Sequence, residues 1–146
     1  MTPSIEAKIV VIEEETGIGA NTKLRIGEVL REIANEKPYK VYTALLNQTG
    51  TDDPIPTVLQ NTLGGDIIWT RDLAGEYIGT LPGIFDSNKT TIQIIANTGQ
   101  GYTTLSEVVD IDSIHIIMCN WMPGGVEPIP ADDLLSNTPI EIRVYN

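Results

Sequence analysis

The residues of this sequence that could take part in covalent chemistry are few and lie far apart along the chain. His115 and Cys119 are four residues apart, a spacing that would suit a Cys–His dyad on a helix. The run Ser113–Asn120 has an alternating pattern, however, and predicts a strand. On a strand the two side chains share a face but lie about 13 Å apart, beyond hydrogen-bond reach. We therefore interpret His115 as an ordinary strand residue and Cys119 as a buried thiol.

Acidic residues are the second source of candidates. Adjacent aspartates occur as Asp52-Asp53 and as Asp132-Asp133, and together they could supply the two carboxylates of a glycosidase. Nothing in the sequence sets their separation or raises the pKa of either group. Asp110-Ile111-Asp112-Ser113 begins like a calcium loop, but the required glycine and bidentate glutamate do not follow, so it is interpreted as a turn. We predict no catalytic residue, no cofactor and no metal site, and hence a protein that is not an enzyme.

Aromatic side chains offer a different kind of site. Four rings could form a platform on which a sugar or another ligand stacks: Trp69, Trp121, Tyr77 and Tyr102. Such rings more often cap a β core or lie at an interface. A module that binds a surface glycan is therefore the alternative function.

Composition excludes several classes of protein. The 146 residues, 41% of them hydrophobic, suffice for an ordinary domain with a core. A net charge of −11 repels nucleic acid, and no apolar run approaches the ~18 residues that cross a bilayer. The single cysteine excludes an internal disulfide framework, and the first residues do not form a signal peptide. We expect neither nucleic acid nor a membrane as a partner, and assembly in the cytosol.

The stretch Lys37–Gln48 is where the pattern changes from helix to strand. Pro38 stops a helix and favours extended geometry at the residue before it. Upstream, four apolar residues form one helical stripe: Ile26, Val29, Leu30 and Ile33. The predicted helix begins between Thr22 and Ile26, with the later start favoured because basic residues oppose the helix dipole, and it ends at about Glu36.

A helix of about a dozen residues is only marginally stable in water, so its stripe needs a cover. Two covers are open: the β-domain of the same chain, or the same helix from neighbouring subunits. We assign residues 1–37 to an N-terminal arm and an attachment or oligomerisation helix, and residues 38–146 to a β-domain. A short strand is also predicted within the arm, at Lys8–Ile12.

Beyond Pro38 the patterns predict about six strands separated by turns, which indicates a mainly β fold, an antiparallel β-sandwich or barrel. Val41–Leu46 is apolar on both faces and predicts a central or doubly covered strand, whereas Val58-Leu59 predicts an edge or a loop. In the final strand Ile140, Ile142 and Val144 face inward. Four further segments are assigned: a hairpin whose loop is 72–75, a strand at 90–97, a loop or short strand within 102–112, and one helical turn within 128–135.

Two segments resemble a known family. The first is Pro38–Gly50 followed by Val58–Gly64, and the second is the closing run Asn137–Tyr145. They resemble small structural proteins from phages of Bacteroidetes, including crAss-like phages, over about residues 38–146. The region before residue 38 is similar to the short helical segment that precedes β-domains in phage fibres.

The resemblance implies a virion structural role, as a head fibre, a capsid-decoration protein or a tail-fibre component. It also implies that the protein is a homotrimer and contacts other capsid or fibre proteins. It implies assembly in the host cytoplasm and brings no catalytic residues with it. The oligomer axis that we expect is formed by Ile26, Val29, Leu30 and Ile33.

Overall fold

The structure, a computed structural model, describes residues 23–35, 37–95, 102–120 and 127–146. The chain divides into two units, Met1–Pro38 and Tyr39–Asn146, one residue from the boundary that Pro38 predicts. The strand predicted at Lys8–Ile12 lies outside the described residues.

Helix α1 spans Lys23–Asn35 and has no acidic residue in its first turn. Its first residue, Lys23, lies within the predicted range from Thr22 to Ile26, but three residues before the later start that was favoured. Charges near a helix terminus change its stability by only about 0.3–1 kcal/mol, too little to shift the start. Along the predicted stripe, Val29 is half-buried, while Leu30 and Ile33 are 59% and 49% exposed.

The described residues of the second unit contain nine strands. They are β1 (Tyr39–Asn47), β2 (Ile55–Asn61), β3 (Ile68–Leu73), β4 (Glu76–Thr80), β5 (Thr90–Ile94), β6 (Tyr102–Val108), β7 (Ser113–Asn120), β8 (Ile129–Pro130) and β9 (Thr138–Tyr145). Every pairing among them is antiparallel, which confirms the predicted mainly β class with a short helix before it.

The first sheet has the strand order β2-β1-β9-β5. Its two central strands pair from Tyr39 with Tyr145 to Leu46 with Thr138. The central position predicted for β1 is confirmed, as is the edge position of β2, a strand that is largely exposed. In β9, Ile140 and Ile142 are buried, because strict alternation directs every second side chain to the core.

The second sheet has the order β3-β4-β7-β6, and β8 pairs with the last residues of β7. The two sheets enclose one apolar core. Within it, Trp69 Nε1 donates a hydrogen bond to Tyr42 Oη at 3.3 Å, so the rings join β3 of one sheet to β1 of the other. A Cβ atom on Gly79 would lie 3.0 Å from the Trp69 ring, so glycine lets the indole lie flat on β4.

Two local predictions are wrong. The hairpin loop has two residues rather than four, since β3 continues to Leu73 and Gly75 turns the chain with φ of 71°. The helical turn predicted within 128–135 is replaced by β8 and bends. Pro130 lacks the N–H that a helix would use, and Ala131 N instead donates to Met118 O at 3.0 Å, a strand-like contact. The segment left open at 102–112 contains the strand β6.

Candidate functional site

The densest polar contacts of the β-domain form a group that we call the loop cluster: Gln48, Arg71, Tyr77, Asp132 and Asp133. Asp132 accepts two hydrogen bonds from the guanidinium of Arg71 on β3, Nε to Oδ1 at 2.9 Å and Nη2 to Oδ2 at 2.8 Å. Gly75 N donates a third to Oδ1 at 3.1 Å. The hydrogen bond from Arg71 is the main cause that lowers the pKa of Asp132. The carboxylate therefore stays ionised and joins the β3–β4 turn to the segment after β8.

Gln48 forms the buried centre of the loop cluster and directly follows β1. Its Oε1 accepts hydrogen bonds from Tyr77 Oη at 3.1 Å and from Asp133 N at 2.8 Å. Its Nε2 donates to the carbonyl oxygens of Gly50 and Asp52. The amide thus uses both donors and two acceptor positions, as a buried amide requires. Burial is also the main cause that raises the pKa of Tyr77 to about 12.

Three of the four aspartates in the two acidic pairs singled out from the sequence lie at this cluster, but as structural groups. Asp133 Oδ1 accepts from Gly50 N at 2.6 Å, and Asp53 Oδ1 accepts from Arg71 N at 2.7 Å. A glycosidase needs one carboxylic acid with a raised pKa, whereas the pKa of Asp132 is lowered. The arrangement is suited to holding loops together rather than to donating a proton.

The His115 and Cys119 side chains point to the outer face of the second sheet, as their strand predicts. His115 lies between two glutamates, with Nε2 3.4 Å from Glu76 Oε2 and Nδ1 3.5 Å from Glu107 Oε1. Cys119 is 4% exposed, and burial, aided by the charge of Glu76, raises the pKa of its thiol. A raised pKa disfavours the thiolate that a nucleophile needs.

The predicted stacking platform is wrong for two of its four rings. Trp69 is 4% exposed and Tyr77 is fully buried, because both lie on core-facing positions of β3 and β4. A ligand at the surface cannot reach them. Trp121 lies outside the described residues, and Tyr102 and Ile26, the latter from the predicted oligomer axis, are described in backbone only.

A groove on the outer face of the second sheet was not found from the sequence. We call it the outer groove. Its volume is about 210 Å³, and its lining residues are Leu105, Ser106, Glu107, His115 and Ile117. The residues come from β6 and β7, and only the register between these strands brings them together.

The described part of the chain offers no cluster for a metal ion. Within residues 23–35, 37–95, 102–120 and 127–146, no three His, Cys, Asp or Glu side chains are grouped so that they could ligate one. Nor does any helix in these ranges have the length and apolarity to span a membrane.

Comparison with known proteins adds no relative. No protein-family model, no curated protein and no solved structure matches this chain. What the protein does must therefore be inferred from its own residues.

Proposed function

We propose that this protein is a non-enzymatic structural component of a phage particle, a head fibre or a capsid-decoration protein. It assembles in the host cytoplasm as a homo-oligomer, with a trimer as the favoured form, and contacts other capsid or fibre proteins. Helix α1 provides the oligomer axis, and the β-domain is the displayed part.

The observation that carries the proposal is the exposed apolar stripe of α1. The helix has 13 residues, and an isolated helix of that length is marginal in water. Leu30 and Ile33 are 59% and 49% exposed, so the helix gains stability where these side chains are covered. Copies of the same helix around a symmetry axis supply an identical, self-complementary cover.

The resemblance supports the particle role. The runs that carry it, at 38–50, 58–64 and 137–145, contain all of β1, all of β9 and the later part of β2. These three strands are neighbours in the first sheet. The loop cluster and the adjacent Asp53 support a role without chemistry, because Asp53, Asp132 and Asp133 each accept a hydrogen bond from a backbone N–H.

The oligomer axis is tested by Leu30→Asp. A charge at the centre of an apolar axis should convert the oligomer into monomers of 15.9 kDa, measured by size-exclusion chromatography with light scattering. Arg31→Asp is the matched control, since it places the same residue on the opposite face of α1 and should leave the mass unchanged. An unchanged mass for Leu30→Asp would rule the axis out, and loss of the β-sheet signal in circular dichroism would instead favour packing on the chain's own sheet.

The particle role is tested separately. Peptide mass spectrometry of washed particles, from the phage that encodes this chain, should find the protein. Its copy number per particle should be a multiple of the number of subunits that light scattering gives for the oligomer. Its absence from washed particles would contradict the proposal. A reconstruction of the same particles would then place it on the head or on a fibre.

The glycan-binding alternative, including a tail-fibre receptor role, loses support from the burial of Trp69 and Tyr77. Binding to a glycan array would revive it, with a site other than these two rings.

A further inference from the structure

The outer groove lies on a face of the second sheet that the proposed function does not use. His115 of β7 is directly opposite Glu107 of β6, and Glu76 of β4 is opposite Ile117, two residues further along β7. The imidazole is therefore flanked by a carboxylate on each neighbouring strand. Its side chain is 15% exposed, whereas that of Glu107 is 71% exposed.

The wall of the groove is apolar. Leu105 is directly opposite Ile117, one pair along from Glu107 and His115. Leu105 is 61% exposed, so its side chain presents apolar surface to whatever enters the groove. The result is a cleft of about 210 Å³ with an apolar side and a carboxylate at its rim.

Glu107 lines the groove and Glu76 lies next to it, and among the described residues the two carboxylates share one imidazole. The ion pairs of this part of the chain give Glu76 and Glu107 only the imidazole of His115, and both contacts, at 3.4 and 3.5 Å, are too long for strong hydrogen bonds. A cationic group in the groove would complete the electrostatics of this face.

Charge also selects the occupant. A second copy docked through the same face would bring the same two glutamates against it. A lysine instead combines an aliphatic stem with a compact charge, which matches an apolar wall that leads to a carboxylate.

We propose that the outer groove binds a lysine of a partner protein, in a segment where lysine is next to an apolar residue. The stem lies along Leu105 and Ile117, and the ammonium pairs with Glu107. This inference does not depend on the proposed particle role or on the oligomer axis.

Nuclear magnetic resonance tests it directly, because His115 is the single histidine of the chain and its imidazole signal needs no assignment. The probe is the peptide acetyl-Ile-Lys-Ile-Lys-amide, and acetyl-Ile-Glu-Ile-Glu-amide is the control. We expect saturable shifts of the imidazole signal with the lysine peptide only. Glu107→Gln should weaken binding about fivefold, as for an ion pair at the rim of an interface, and Leu105→Ser should also weaken it.

Glu28→Gln is the matched control for net charge, since it removes one exposed glutamate from α1. It should change the affinity for the lysine peptide less than twofold, because salt screens a charge that lies outside the groove. Equal weakening by Glu28→Gln and Glu107→Gln would overturn the proposal. So would an imidazole signal that moves with protein concentration alone, because that would identify a second copy as the occupant. An imidazole signal that stays fixed while backbone amides elsewhere shift would also refute it.

Discussion

Replacing Tyr77 by phenylalanine should lower the stability of the β-domain at neutral pH, and this loss should vanish or invert at alkaline pH. The phenol is fully buried and donates its hydrogen bond to Gln48 Oε1, which also accepts from Asp133 N. Near neutral pH, Tyr77→Phe removes one net hydrogen bond and should lower the free energy of unfolding by about 1 kcal/mol.

At alkaline pH the sign of the effect reverses. Burial raises the pKa of Tyr77 from 10.0 to about 12. A raised folded pKa means that this stability is fully present below pH ~10 and is lost as the pH rises through about 12, because the unfolded chain releases the proton first. Two pKa units correspond at most to about 2.7 kcal/mol, and the polar groups around the phenol reduce this to about 1–2 kcal/mol. Phenylalanine carries no such penalty.

The assay is urea unfolding followed by tryptophan fluorescence, at about pH 8 and about pH 11.5. The wild type should be more stable than the variant at the lower pH, and the difference should vanish or invert at the higher pH. Tyr42 and all other groups that titrate are common to both proteins, so they cancel in the difference. A difference that stays constant across this range would refute the reasoning that burial keeps the phenol neutral.

Two further predictions concern the same end of the domain. Gly75→Ala should abolish folding or lower the free energy of unfolding by more than about 3 kcal/mol, because its Cβ would lie 2.3 Å from Ala131 N. Gly50 is also at positive φ, but no atom lies within 4 Å of its added Cβ, so Gly50→Ala should cost only about 1–2 kcal/mol. Soluble yield and thermal melts compare the two variants. For Asp132, whose pKa is lowered by Arg71, the stability it contributes is present above the unfolded pKa of 3.8 and is lost as the pH falls through the folded value. The wild type should therefore lose its advantage over Asp132→Asn between about pH 5 and pH 2 in the same unfolding assay, and a constant advantage would contradict this.

The strands that the sequence predicts well are those in which apolar residues alternate regularly with polar ones. The alternation in Ser113–Asn120 predicts β7 with its observed bounds. The alternation in β9 is strict enough to predict which of its side chains face inward. The pattern does not define β6, because Thr104 and Ser106 occupy the positions opposite the buried Met118 and Ile116, so the apolar alternation is missing. In segment 128–135 the apolar pair Leu134-Leu135 is compatible with a helical turn. In the fold both side chains are buried, although the segment forms no helix.

The site residues show a different limit. Asp132 and Asp133 were selected from the sequence, but their partners Arg71 and Gln48 lie 61 and 85 residues away in the chain. The outer groove likewise requires the register that sets Glu107 against His115, and that register depends on β6. A sequence pattern reports which face a side chain takes, but it carries no information about which strand lies alongside.

Long-range pairing also determines how the loop cluster can form. Gln48 follows β1, and Asp132 and Asp133 precede β9, so the pairing of β1 with β9 brings the two segments to the same end of the first sheet. Gln48 N donates to Leu135 O, and Asn47 and Asn137 exchange hydrogen bonds just beyond the last pair of the ladder. The cluster therefore completes only after residues about a hundred positions apart have paired, a non-local step that slows folding. Variants of Asp132 or Gln48 should consequently accelerate unfolding more than they slow folding, because contacts that form late are absent from the transition state.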